Sequence, residues 1–377
     1  MTREFSIYLD GLRISAALLV LAAHSLGYAY GPIAWWPNSL GHNAVVVFFV
    51  LSGYVIAYVV DHKESTFRDF WLSRWARIYS VAVPALLITL LADRVGLSLS
   101  PDFYKGGLTT HDYVGVRLAA SLLFVNELWL VSIMPFSNSP YWSLCYEMAY
   151  YLLFSLWCFG GRRRRLGLLL AMLVIGPKIL LLAPVWLAGV AVYQQRSWYQ
   201  IREPLAWGLW LASLAAVAAF QVIDLGAMLS RWTQSVVGDW LYVRLHFSQH
   251  FLGDYILALL IAANFVGFRA IAHRFSDLFA VIAPAVRGAA EYTFSIYLFH
   301  LPLVFLATIV FADVPLGLSR WLMVLVATLV PIILIGAFTE RRKGDLRRWL
   351  GRFAWPLPAV QPALAPPHRT AMGPPHA

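Results

Sequence analysis

The sequence is short of charge. Of its 377 residues only 13% are Asp, Glu, Lys or Arg, against roughly 25% in an ordinary soluble domain. Lysine is nearly absent: Lys63, Lys105, Lys178 and Lys343 are the only four among 29 basic residues, and the rest are Arg. No stretch is long and polar enough for a large soluble domain, which excludes a simple membrane anchor carrying one. There are two cysteines, Cys145 and Cys158, both in one apolar segment, so a disulfide scaffold is excluded as well. The chain carries no Walker loop, dinucleotide glycine fingerprint, HExxH or GxSxG elbow. His24, His42, His111, His246, His250 and His300 show no metal-ligand spacing, and no metal is expected.

What is abundant is apolar surface. Sixty per cent of the residues are hydrophobic, about 226 in all. A bilayer-spanning helix takes about 20 of them, so ten spans would use about 200. The composition therefore predicts an all-α, polytopic integral membrane protein. Ten spans fit near 11–30, 42–60, 78–95, 142–159, 166–182, 184–195, 205–223, 250–268, 290–311 and 320–339. The fifth and sixth are short and interrupted by Gly176-Pro177 and Pro184. Residues 115–131 are expected to form an outer or re-entrant helix, because a span there would invert everything after it. No small-residue cleavage site follows the first apolar run, so that run is expected to be a span and not a removable signal peptide.

The net charge of +10 is best explained by topology, not by nucleic acid. With both termini cytoplasmic, 21 of the 29 basic residues fall on inner segments, as the positive-inside rule requires. Residues 1–345 read as one transmembrane domain. Residues 346–377 read as a cytoplasmic tail, first basic and then Pro- and Ala-rich, expected to be disordered.

Ionisable groups inside spans are costly and mark function by default. Arg13 and His24 are eleven residues apart, three helical turns plus about 20°, and so share one face. Arg13 can also simply snorkel to the interface, and His24 can be a neutral link to a neighbouring helix. A neutral intramembrane His is equally a good general base. Arg74 and Arg77 are helical neighbours, with Arg68 adding a third inner charge. Such a cluster suits phosphate, or plain topology anchoring and lipid headgroup contact. Ser143 and Glu147 share a face at i,i+4, as do Glu291 and Ser295. Thr293, Tyr297 and His300 form another face, where His300 can simply satisfy local polar groups. Pro302 leaves the carbonyl of Leu298 without its usual amide donor.

Together these segments resemble the acyltransferase-3 family of integral membrane acyltransferases, which includes bacterial enzymes that O-acetylate lipopolysaccharide, capsule, Nod factor and macrolides. YLDGLRISAALLVLAAH carries an Arg-x10-His signature at Arg13 and His24. GHNAVVVFFVLSGYVIAYV matches a second-span pattern with Phe48, Phe49, Ser52 and Gly53. FWLSRWARIYS carries the Arg-x-x-Arg pair, although Ser80 stands where Pro is common. YWSLCYEMAYYLLF, YTFSIYLFHLPL and FTERRKG supply Trp142, Ser143, Glu147, Ser295, Tyr297, His300, Pro302, Thr339 and Glu340. The resemblance covers residues 5–345.

The resemblance implies a cytoplasmic acyl-CoA donor, usually acetyl-CoA. Arg74 and Arg77, helped by Arg68 and Arg13, would hold its phosphates. His24 would be general base to an acceptor hydroxyl, or would transiently carry the acyl group. Glu147, Ser143 and Tyr297 would orient His24 or stabilise developing charge. The acceptor would be a carbohydrate or glycoconjugate met by the loops at 96–141 and 224–249, and the location a bacterial inner membrane, among membrane lipids. Some relatives carry an SGNH-type second domain, which residues 346–377 are too few to form, so a second transfer step is expected to use a separate protein. The alternative is a secondary transporter or flippase using the same polar residues, against which stands the absence of paired inverted repeats. A non-catalytic scaffold leaves the Arg13–His24 register unexplained.

Overall fold

Two threonines start the two longest helices. Thr2 Oγ1 accepts from the amide of Phe5 at 3.3 Å and opens α1 (Arg3–Ala29). Thr66 Oγ1 accepts from the amide of Asp69 at 3.0 Å and donates to its carboxylate at 2.8 Å, a reciprocal N-cap. It opens α3 (Phe67–Leu99). The computed structural model describes residues 1–33, 39–105 and 110–353. Between α1 and α3 lies α2 (Leu40–His62), and after them come α4 (Val114–Leu122), α5 (Trp142–Phe159), α6 (Arg164–Ile175), α7 (Pro177–Gln194) and α8 (Glu203–Val222). Then follow α9 (Leu225–Val237), α10 (Asp239–Leu245), α11 (Phe251–Ile271), α12 (Ser276–Ala290), α13 (Thr293–Val310), α14 (Leu318–Arg341) and α15 (Lys343–Phe353). Short 3-10 turns stand at several of the connections, and the described residues hold no strand.

The protein is an all-α, multi-pass membrane protein. Eight helical stretches among the described residues are long and apolar enough to cross a bilayer: α1, α2, α3, α7, α8, α13, and the stretches that contain α11 and α14. Ten were expected, and the difference has a local cause. Gly176, at φ 83°, separates α6 from α7, whereas Pro184 is accommodated inside α7. The 12-residue α6 is about 18 Å long, too short for a hydrocarbon core of about 30 Å. α5 has 18 residues, but its tyrosines, serines and Glu147 dilute its apolar character. The segment 115–131 does not span either: α4 has nine residues and then breaks into turns.

Two further expectations need correction. The stretch FRDFWLSRWARIYS, which lies mostly ahead of the expected span 78–95, forms the first turns of α3, which runs 33 residues. The start of the 346–377 segment is ordered as α15, held by Arg68 Nη2 donating to the Gly351 carbonyl at 2.8 Å. The Pro- and Ala-rich remainder, 354–377, lies outside the described residues.

Helix packing builds the site. α1 packs against α2, α12, α13 and α14, while α2 packs against α7. At the α2–α7 crossing a Cβ on Gly53 would overlap the Trp186 carbonyl, and one on Gly189 would overlap that of Val50. Small residues allow this close backbone approach. The carbonyl of Leu298, orphaned by Pro302, is satisfied from the turn before α5: Asn138 Nδ2 donates to it at 2.8 Å and to Thr89 Oγ1 at 3.1 Å. That link seats α13 against α3 and the turn before α5.

Candidate active site

His24 lies near the C-terminal end of α1, and His300 lies inside α13. Their rings meet with His300 Nε2 at 3.0 Å from His24 Nδ1. His300 Nδ1 lies 2.8 Å and 3.0 Å from the carbonyls of Tyr297 and Ile296. A carbonyl can only accept, so Nδ1 of His300 holds the proton. In the neutral ring its Nε2 then carries the lone pair and accepts from His24 Nδ1–H. That same Nδ1–H also faces the Val20 carbonyl at 3.0 Å. The relay leaves His24 Nε2 with a free lone pair, the requirement for a base or nucleophile.

Two cavities lie along α1, called inner and outer by the topology expected from charge, and the outer one adjoins the pair. The inner one is lined by Arg13, Ser52, Arg77, Ser143, Glu147 and Tyr151, among others. The outer one is lined by His24, His42, Trp142 and Phe247. Val45 and Tyr297 belong to both, so the two share a wall midway along α1. Arg13 therefore addresses one chamber and His24 the other, about 16 Å apart along the helix.

Glu147 is held from two sides. Ser52 Oγ donates to its Oε1 at 2.8 Å, the Tyr151 hydroxyl donates to the same oxygen, and Trp186 Nε1 donates to Ser52 at 3.2 Å. Ser143 Oγ lies 2.8 Å from the Tyr297 hydroxyl, and both lie within reach of the Pro140 carbonyl, at 3.2 Å and 2.9 Å. Two hydroxyls and one carbonyl satisfy one another, so these three groups form a closed set. None of Glu147, Ser143 and Tyr297 bonds to His24. The partner of its ring is His300, for which the sequence also allows a purely local polar role.

The arginines separate. Arg77 and Arg13 line the inner chamber, with Arg13 also 3.2 Å from Asp10. Arg74 does not line it. It is buried, paired with Glu64 at 2.8 Å, and its guanidinium carbon sits 4.5 Å from the Phe70 ring centroid. Arg74 Nε and Nη2 have no hydrogen-bond partner among the described residues. Arg68 is spent on α15. Among the described residues no group of three or more His, Cys, Asp or Glu is placed to hold a metal.

A paired intramembrane histidine and a second chamber lined by Arg13 and Arg77 lie within one polytopic helical bundle. Residues 6–340 match the family model described as an acyltransferase domain, and the chain belongs to that acyltransferase-3 family. The chain is similar to the acyltransferase MdmB of Streptomyces mycarofaciens, 38% identical over 40% of this chain and 38% of the relative. It is also similar to an O-acetyl transferase of Shigella phage Sf6, 31% identical over 31% of this chain and 34% of the relative. YrhL of Bacillus subtilis, named for peptidoglycan O-acetylation, is 29% identical over 44% of this chain and 26% of the relative. The chain thus spans less than half the length of each of these relatives. No solved structure matches it.

Proposed function

We propose that this chain is a membrane-bound O-acyltransferase. It moves an acyl group, acetyl in the first instance, from cytoplasmic acyl-CoA to a hydroxyl of a carbohydrate or glycoconjugate, with both termini cytoplasmic in a bacterial inner membrane. The observation that carries the reading is the His24–His300 relay, which frees His24 Nε2 beside a chamber that adjoins one lined by Arg13 and Arg77. Family membership and the names of the relatives support the class of reaction. Arg77 and Arg13 contact the phosphates of the donor, and Arg74, buried against Glu64, shapes the wall behind them. The thioester arm runs past Val45 and Tyr297 to His24.

At His24 two routes are open to this geometry. Nε2 takes the proton of the acceptor hydroxyl as it attacks the thioester carbon, or Nε2 itself attacks that carbon and carries the acyl group. His300 holds the ring in the required tautomer in either case. Glu147, fixed by Ser52 and Tyr151, places negative charge near the arginines. Ser143 and Tyr297 brace the shared wall.

The test is acetyl-CoA turnover by purified protein in liposomes, with a crude envelope glycan extract as acceptor. CoA release that depends on the extract and falls about 10²- to 10⁴-fold in His24→Ala supports the assignment. Near-normal turnover by His24→Ala overturns the role of His24. Folded wild-type protein that neither binds nor consumes acetyl-CoA overturns the donor, and substrate flux without CoA release favours a transporter.

A further inference from the structure

The outer chamber contains a second histidine on which nothing above depends. His42, in the first turn of α2, lies with Nε2 2.9 Å from Oδ1 of Asp254, a residue of the first turn of α11. Asp254 is 1% exposed, and its Oδ2 has no partner among the described residues. The carboxylate accepts, so His42 Nε2 carries the proton and Nδ1 keeps the lone pair. No hydrogen bond engages Nδ1 among the described residues. The neighbouring His250 does not compete for Asp254. Its Nδ1 lies 2.5 Å from Ser230 Oγ and its Nε2 3.0 Å from the Gln249 side-chain amide, so both its nitrogens are occupied. His42 and His24 line the same chamber, each with one ring nitrogen unspent.

Their partners differ in kind. Behind His24 stands a neutral imidazole; behind His42 stands a buried carboxylate. A carboxylate stabilises the imidazolium that forms when its histidine takes a proton. Acylation of Nε2 with the Nδ1 proton retained also makes a cationic ring, and a neutral imidazole behind it leaves that acyl group without charge stabilisation and so readily passed on. The chamber also has an aromatic wall: Trp142 stacks on Phe247 at 4.4 Å between centroids, and on His42 at 6.2 Å. Flat aromatic faces of this kind suit a sugar ring.

We propose that His42, oriented by Asp254, is the base for the acceptor hydroxyl, while His24 carries the acyl group. The inference rests on the acyltransferase reading and selects the second of its two routes. First, His24 Nε2 attacks the thioester carbon, the carbon–sulfur bond breaks, and the thiolate leaves with the electron pair. Next, the acceptor O–H gives its proton to His42 Nδ1, oxygen bonds to the acyl carbon, and the carbon–nitrogen bond breaks with its pair returning to His24. The proton on His42 then passes to the thiolate, which departs as thiol. Asp254 is a positioning residue.

Hydroxylamine separates the two roles, because it is unprotonated at neutral pH and attacks acyl groups without prior loss of a proton. Full-length wild type, His42→Gln, Asp254→Asn and His24→Ala are compared in liposomes with acetyl-CoA. One arm contains the envelope glycan extract and the other hydroxylamine, each corrected for the uncatalysed reaction. The expected result for His42→Gln and Asp254→Asn is a loss of about 10²-fold with the glycan extract and a change within about threefold with hydroxylamine. Retained hydroxylamine activity also shows that the variants are folded. His24→Ala is expected to lose both activities. Equal loss in both arms for both variants of the dyad, or loss in neither, overturns the proposal, as does a His24→Ala protein that keeps the hydroxylamine reaction. Wild-type protein that consumes no acetyl-CoA in either arm overturns the acyltransferase reading itself, an outcome distinct from these.

Discussion

His300 Nε2 stands 3.0 Å from His24 Nδ1, although 276 positions separate the two residues. The contact, together with the Val20 carbonyl, holds the proton on His24 Nδ1 and orients the ring, and it carries the first prediction. His300→Phe keeps an aromatic ring but deletes the acceptor, leaving His24 Nδ1 only the Val20 carbonyl. Turnover with saturating acetyl-CoA is expected to fall about 10- to 100-fold, up to the lower limit of what a general base contributes, because the base itself remains. Binding of acetyl-CoA, measured by equilibrium dialysis, should stay within experimental error. A change confined to binding would refute the relay.

Glu147 and its two hydroxyl donors allow charge to be separated from packing. In Glu147→Gln a carbonyl oxygen remains to accept from Ser52 and Tyr151, so the fold should be kept while the negative charge is lost. Glu147→Ala loses both. If the charge matters to transfer, both variants lose activity to a similar degree and only the alanine variant unfolds at lower temperature. Full activity in the glutamine variant would reduce Glu147 to a structural link.

The two arginines of the Arg-x-x-Arg pair should fail differently. Arg77 lines the inner chamber, so Arg77→Ala is expected to raise the KM for acetyl-CoA with stability little changed. Arg74→Ala strands the buried Glu64 carboxylate, a loss of about 3–5 kcal/mol in typical buried pairs. The double variant Arg74→Met/Glu64→Leu removes both charges and should recover much of that stability. Thermal unfolding in detergent separates the single variant from the double one. Recovery of stability without recovery of acetyl-CoA affinity would show that Arg74 also contacts the donor.

Asn138 is a structural residue by its contacts, since its amide closes the gap left by Pro302. Asn138→Ala leaves the Leu298 carbonyl unpaired in the bundle interior, while Thr89 keeps its bond to the Ala85 carbonyl, which is expected to cost about 1–3 kcal/mol. Because Leu298 and His300 lie on one helix, lower thermal stability should be accompanied by weaker turnover. Asn138→Asp, which lacks the amide donor, should not rescue. Unchanged stability in both variants would show that another group or water satisfies this carbonyl.

How much of the site could be read beforehand follows from how far each signal reaches along the chain. The shared face of Arg13 and His24 was legible because a helix repeats every 3.6 residues. The vacancy at Leu298 was legible because proline lacks an amide hydrogen. Arg74 and Arg77, equal as a motif, were not told apart, since nothing near them in sequence distinguishes the one that meets Glu64. Asp254 gave no signal, being a single acid near the start of an apolar segment. His42 was visible only as one histidine without metal-ligand spacing. Of the two expected interruptions, the one at Gly176-Pro177 is present and the one at Pro184 is not, because Pro184 is accommodated inside α7 while Gly176 takes a backbone conformation that side chains resist.

The amino-acid sequence by itself determined an all-α protein of many membrane crossings, and it placed Arg13, His24, Glu147 and Tyr297 on helical segments. Composition, hydropathy and helical period are properties of short segments, and they survive whatever those segments pack against. Tertiary structure alone decided that His24 is oriented by His300, that His42 faces it backed by Asp254, and that Arg77 but not Arg74 lines the inner chamber. Each of these depends on which helix faces which. That choice is made by close crossings such as Gly53 against Trp186, and by polar links such as Asn138 to Leu298, between residues far apart in the chain.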